Sequence, residues 1–595
     1  MKKAVLFVLL ALLAGAPLFA QSTTEGAIGG VVVDQSKGVL PGVTVNARNV
    51  ATNSVATATT DESGHFTVIR LAPGTYAVDV TLAGFAPYTR STVVVEVGRV
   101  TNLDITLGVA AQTESVNVVA ETPVINRETA DLSTNINQTS LNNLPVSARR
   151  WSNFVLTTPG AAPDGTFGLI SFRGISGLLN NNTVDGGDNT QAFFAEERGR
   201  TRLSYSLSLA AVQEFQVTTS NYSAEYGRAA GGVVNAVTKS GANQVSGEGF
   251  YFFRDNAMGA SNPFTVQAIR QPDGSFLTTR IKPDDRRQQY GIGIGGAIKK
   301  DKVFFFLNGD QQKRNFPGTA VPSNPAAFFA DLSSAELATL ASRGVTAAQG
   351  SQGLAFLQSL TGVVARTGDQ TLFLPKIDWQ VNDKHSFAVS YNHLRWKSPA
   401  GVQTAATVAN GVDNWGNDGV DDDWVIMRLN SVLSSKFTNE IRFQWGRDFE
   451  YQSSQEPVAG EPVAAGTNRS PNVSIGGTAA FGFGKPNFLE RTSYPDERKI
   501  QLSDTATWLA NTHLIKFGVD LNRTNDTLDN LFQEGGVYTY NSRADFISDY
   551  ILVTQRNQAA RNYSTFAQGI GPTAFTFNTM DYAAFVQTRG TSRRA

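Results

Sequence analysis

The residues best placed to do chemistry lie between Ser171 and Thr190, "SFRGISGLLNNNTVDGGDNT". Four glycines around a serine and two aspartates raise two catalytic readings. A nucleophile elbow needs a glycine two residues after its serine, and Leu178 stands two after Ser176. The base of a triad would also be remote, because the four histidines are His65, His385, His393 and His513. A dinucleotide loop needs a strand before it and a helix after it, yet asparagines, poor helix formers, follow here. Cysteine is absent, which removes disulfides, thiolate metal sites and cysteine nucleophiles. The acidic run "NGVDNWGNDGVDDDW" invites calcium, but Gly416 and Val425 break the EF-hand ligand spacing; it reads as a solvated loop. The expectation is a chain with no catalytic residues, no metal and no cofactor. A net charge of −1 argues against a nucleic-acid partner.

What elements carry these residues? Lys2 and Lys3 precede an unbroken apolar run, Ala4 to Leu13, and then "AGAPLFA". The run is too short to span a bilayer. It predicts a secretory signal peptide over residues 1–20, cut between Ala20 and Gln21. No later apolar run reaches about 18 residues, so an exported chain without a helical anchor is expected: soluble, or a β-barrel. Fifty-five glycines and abundant phenylalanine suit strands and turns.

Residues 26–108 alternate with period two. Val43, Val45 and Ala47 share one face, as do Tyr76, Val78, Val80 and Leu82, and Leu103, Ile105 and Leu107. Turn signals at "LPGV", "DESG" and "APGTY" separate about seven short strands, which predicts a sandwich. The segments "GGVVVDQSKGVLPGVTV", "TTDESGHFTV" and "LAPGTYAVDVTLAGF" resemble the carboxypeptidase regulatory-like domain, and the resemblance implies a carbohydrate-binding-like sandwich. One function class is therefore an exported carbohydrate-binding or adhesion protein.

The opening stretch and its flanks, "LNNLPVSARRWSNFVLTTPG" and "LAAVQEFQVTTSNYSAEYGRAAGGVVNAVTKSGAN", resemble the plug domain of TonB-dependent outer-membrane receptors, over residues 124–243. With the sandwich in front, the likeness points to the Oar-like branch. The matching residues are Phe172, Arg173 and Gly174, then Val184, Asp185 and Gly186. The resemblance implies a plug inside a wide barrel. Arg173 would then bridge to a barrel carboxylate, Gly174 and the pair Gly231-Gly232 would allow close backbone approach, and Asn180, Asn181 and Asn182 are candidates to face substrate. In the linker 109–123, Glu114, Ser115, Val116, Asn117, Val118, Val119 and Ala120 resemble the TonB box. That implies strand addition to the TonB C-terminal domain and energy from the TonB–ExbB–ExbD complex. The implied function is energy-coupled uptake of an unidentified substrate, carbohydrate or peptide among the options, across a Gram-negative outer membrane, with the N-terminal domain periplasmic.

Residues 244–595 alternate as lipid-out, water-in barrel strands do. Ile441, Phe443 and Trp445 oppose Glu440, Arg442 and Gln444; Ile515, Phe517, Val519 and Leu521 oppose Lys516, Gly518, Asp520 and Asn522. "SSAELATLASRGVTAAQGSQGLAFLQSLTG" predicts a loop helix capped by Ser334. The expected fold is mainly β: sandwich, mixed α/β plug, and a partial transmembrane antiparallel barrel of nine or ten strands. The ending "TRGTSRRA" breaks the alternation, so a frameshifted or split receptor is expected, with a small barrel as the alternative.

Overall fold

A computed structural model describes residues 24–109, 132–144, 149–165, 169–199, 204–273, 275–403, 405–434, 436–464, 469–510 and 513–590. The signal segment, its Ala20–Gln21 junction and Glu114 to Ala120 lie outside the described residues.

The N-terminal unit is the expected sandwich. One sheet holds strands Gly26–Asp34, His65–Leu71, Val100–Asn102 and Ile105–Leu107; the other holds Thr44–Asn49, Val55–Thr59, Gly74–Thr81 and Tyr88–Val95. The alternation seen in the sequence fills the space between them: Val43, Val45, Ala47, Val78 and Val80 are fully buried, with Leu103, Ile105 and Leu107 beside them. Each buried valine, leucine or isoleucine contributes about 1.5–3 kcal/mol.

The second unit is a mixed five-stranded sheet in the order Gly187–Asp188, Asn181–Val184, Val233–Thr238, Val212–Ser220, Leu132–Ile136. Asn181–Val184 runs parallel to Val233–Thr238. A helix, Gln138–Asn143, starts where the Asn137 side chain accepts from the Ser140 N–H, satisfying one of the donors a helix start leaves open. Its core includes Phe154, Phe172, Phe215 and Val217, closed by Phe306 and Leu374 of the large sheet.

Ten long antiparallel strands make that large sheet: Ser246–Asp255, Arg286–Lys299, Val303–Asn315, Thr367–Asn382, His385–Ser398, Asn417–Ser434, Phe437–Ser453, Arg491–Ala510, His513–Asn530 and Ala574–Gly590. Among the described residues the first and the last have a neighbour on one side only. The parity is as expected. Ile441, Phe443 and Trp445 are 41%, 37% and 41% exposed, against 6%, 8% and 1% for Glu440, Arg442 and Gln444. The second unit sits on this polar inner face. Among the described residues no helix is long and apolar enough to cross a membrane.

Connections at one end of the sheet are short, 300–302, 383–384, 435–436 and 511–512; at the other they are long, 256–285, 316–366, 399–416, 454–490 and 531–573. Short turns mark the periplasmic end of such a sheet and long loops the extracellular end. The long connections fold into a cap with its own core, including Phe328, Leu340, Leu357, Phe483, Phe546 and Ile547.

Three expectations are corrected here. The loop helix is two helices, Ser334–Ser342 and Ala347–Ser359, and the first is capped by Ser333. Ser333 and Glu336 exchange the reciprocal bonds of a capping box, which Ser334 cannot reach. The acidic run is only partly a loop: from Asn417 it is strand, with Asp422 fully buried, because Val420, Asp422, Trp424 and Ile426 share the inward parity. Third, Thr588, Arg589 and Gly590 continue the last ladder, paired with Ile515, Leu514 and His513.

Arg543 pins the cap. It holds Glu336 through Nε–Oε1 at 2.6 Å and Nη2–Oε2 at 3.0 Å, and donates to the carbonyls of Ala327, Phe328, Ala330 and Asp331. This bidentate bond brings the Glu336 carboxyl from its usual 4.5 down to about 2. A depressed carboxylate stabilises the fold above its unfolded value, and that contribution is lost as pH falls from about 4.5 to about 2. Amide exchange over Pro325–Ser359, corrected for intrinsic rate, should therefore rise across that window. Glu336→Gln should flatten the dependence; an unchanged profile in that variant would remove Glu336 as its origin.

Candidate functional site

The inner unit meets the large sheet through charges. Asp185 and Gly186 have φ of 47° and 77° and turn the chain from Asn181–Val184 into Gly187–Asp188, as an Asp-Gly hairpin does. The turn aims two carboxylates at the wall. Asp185 accepts from the Thr238 N–H at 2.9 Å and lies 3.6 Å from Lys376. Asp188 is 3.1 Å from Lys499 and 3.2 Å from Arg228, which also reaches Asp581 at 3.1 Å. Glu225 pairs with Lys516. Higher up, Asp310 accepts from the Tyr205 hydroxyl at 3.1 Å and from the Ser208 hydroxyl at 2.7 Å. The loop after Asp188 wedges into the wall: Gln191 donates to Asp448 and Glu450, and the Ala192 N–H to Glu497.

That loop lies over a row of acids. Asp422 is opposite Asp448, Asp448 opposite Glu497, and Glu497 opposite Asp526, across four neighbouring strands. Like charges directly opposite one another destabilise a sheet. Arg198, buried, enters from the inner unit with its guanidinium 5.2 Å above the Trp424 ring, and Lys499 enters from the wall. At the long-loop end of the same loop, Phe193 and Phe194 pack with Tyr494 at 6.4 and 5.4 Å, and Phe193 with Phe577 at 6.3 Å. The arrangement grips through ion pairs and offers aromatic faces outward.

The predicted residues divide. Phe172 is fully buried and packs on Gly232, where an added Cβ would lie 2.4 Å from its ring; at Gly231 it would lie 2.3 Å from Asn180 Oδ1. Both glycines serve close approach, as expected. Val184 belongs to the same core. Gly174 does not: it has open space and a φ of 80°, so it serves the turn. Arg173 is a correction. It tops that turn with φ 53°, exposed, and pairs with no carboxylate among the described residues. Its hairpin, Ala161–Asp164 with Leu169–Phe172, carries it off the wall, and Arg228 takes the role expected of it through Asp581 of the wall. Asn180 and Asn181 are corrections too, for they are buried. Asn180 donates to Ile170 O and accepts from the Gly232 N–H; Asn181 donates to Gly227 O. Their amides serve the backbone. Asn182 is half-buried. The residues that sequence reasoning missed, Lys376 and Lys499, carry one usable signal: lysines at the inward parity of apolar-outward strands.

Gly232→Val follows as a test of the packing. Overpacking a filled core typically costs about 1–3 kcal/mol, so the inner unit should melt earlier than in the parent. Adding Phe172→Leu should recover part of the loss; equal melting of Gly232→Val and parent would contradict the contact.

The family model of the outer-membrane β-barrel domain matches residues 237–331 and 308–589, together more than half of the 595 residues. The chain belongs to the outer-membrane β-barrel family. Membership in that barrel family places it in the Gram-negative outer membrane and sets aside a barrel-free adhesin. The carboxypeptidase regulatory-like domain model matches residues 27–108. Among curated proteins, the TonB-dependent transporter Oar of Myxococcus xanthus is 29% identical over 303 residues, 50% of this chain and 27% of its own length. Among solved structures, the outer-membrane transporter YddB from Escherichia coli aligns with a TM-score of 0.49 and 13% identity, covering 78% of this chain and 55% of its own. FpvA of Pseudomonas aeruginosa aligns at 0.46 and 11%, covering 79% and 50%. This barrel-family chain thus spans about a quarter of the curated relative and about half of each of these two solved relatives.

Proposed function

We propose that the chain is a TonB-dependent receptor that carries a substrate across the outer membrane, with residues 124–243 as its plug and Glu114 to Ala120 as its TonB box. One observation carries this reading: a folded unit is seated on the polar face of the barrel wall by Asp185–Lys376, Asp188–Lys499 and Glu225–Lys516. Ion pairs suit a part that must move, since water replaces each lost partner once the pair opens. The box precedes the plug. In the proposal it pairs edge to edge with the TonB C-terminal domain, and the TonB–ExbB–ExbD complex supplies the pull. Asn53 and Asn430, on or bonded to the sandwich, stand by the short turns, which supports a periplasmic N-terminal domain. Phe193, Phe194, Tyr494 and Phe577 supply the outward face for substrate. Rings of this kind stack on sugars and on apolar peptide side chains alike, which keeps carbohydrate and peptide as the substrate classes.

The test is direct binding. A peptide spanning Thr113 to Thr122 should bind the TonB C-terminal domain, and a peptide of the same composition in scrambled order should not. Equal signals from the two would defeat the box.

A further inference from the structure

We infer that the N-terminal sandwich is a stopper for the periplasmic mouth of the barrel, locked to the wall by Arg70. Arg70 holds φ 61° near the end of its strand, a conformation that strains a non-glycine residue and persists only where surroundings enforce it. Its Nε is 3.1 Å from Glu25 of the sandwich, and its Nη2 is 3.0 Å from Glu440 and 3.2 Å from Asn430 of the wall. Asn430 in turn donates to Glu25 at 2.7 Å, and Arg442 holds the other oxygen of Glu440 at 2.9 Å. The three charged side chains are 6–10% exposed. Two acids and an arginine taken out of water stand only as a complete set.

The other contacts ring the same mouth. Val97 donates its N–H to Glu214, and its carbonyl accepts from Asn135 at 2.9 Å, both on the inner unit. The Ala51 carbonyl accepts from the Asn243 N–H at 2.9 Å, where the inner unit runs into the barrel. Asn53 donates to Asp301 in a short turn at 3.0 Å. Above Arg70 a polar cavity lined by Glu225, Glu440, Arg442, Ser503 and Lys516 is left between sandwich, inner unit and wall. Anything leaving the lumen by this mouth meets the sandwich after the inner unit, so two gates stand in series.

The stopper is independent of what drives transport, and its test reads no uptake. The chain has no cysteine, so Ser503→Cys puts a single thiol on the covered wall. The probe is a polyethylene-glycol maleimide added to the purified receptor. Arg70→Gln and, separately, Glu440→Gln should each raise the labelling rate about tenfold or more, as loss of one member of a buried ion set implies. Glu440 lies outside the sandwich, so its variant leaves the sandwich core untouched. Unchanged labelling in both variants, or a rise confined to Arg70→Gln, would overturn the stopper.

Discussion

Val118→Pro is expected to abolish coupling to TonB while leaving the receptor folded. An added strand is held by main-chain bonds, and proline removes one N–H and fixes φ near −65°. Asn117→Ala leaves the backbone intact and should weaken pairing far less. The contrast separates strand addition from side-chain recognition: a helix or a charged docking site would feel the two changes in another order. The measurement is pull-down of the receptor by the TonB C-terminal domain, with heat-modifiable migration as the check on folding. Retained pull-down with proline at 118 would show that this segment is not the box.

The second large effect is expected at Asp188. Asp188 is buried and holds Lys499 at 3.1 Å and Arg228 at 3.2 Å. Lys499, equally buried, keeps only Glu497 at 3.3 Å and the Thr190 carbonyl when Asp188 is gone. Removing one partner of such a pair costs about 3–5 kcal/mol. Asp188→Ala should therefore speed amide exchange in Val212–Ser220 and Val233–Thr238 by roughly two to four orders of magnitude, since opening free energy sets that rate. Lys499→Met added to Asp188→Ala should deepen the loss, because Glu497 would then lose its cation within the row of acids. Exchange at the parent rate in Asp188→Ala would mean that the pair is solvent-screened and contributes little.

Much of this fold is legible in the residues because period-two alternation is enforced on both sides of a strand. Phe443 beside Gln444, or Phe517 beside Lys516, can face only one way when lipid lies on one side and a polar interior on the other. The sandwich is readable for the same reason. The grip on the inner unit is not. Arg173 and Arg198 are both arginines in glycine-rich surroundings, and only the path of the hairpin after Gly160 decides which one meets the wall. Asn180 and Asn181 mislead similarly: consecutive asparagines signal a turn, yet here the backbone of Ile170, Gly227 and Gly232 claims their amides. Long-range pairings of this kind, such as Asp188 with Lys499, leave no local pattern. The split of the loop helix depends on a capping residue one position from the expected one, where helix boundaries are least determined by pattern.

The central claim is that these strands form a wall between lipid and a polar interior. Spin labels placed one at a time from Phe437 to Ser453, on engineered cysteines in this cysteine-free chain, test it most directly. Collision with oxygen should peak at positions 441, 443 and 445 and fall at 440, 442 and 444, repeating every second residue. Accessibility without that period, or water contact on both faces of the strand, would contradict the barrel wall and everything built on it.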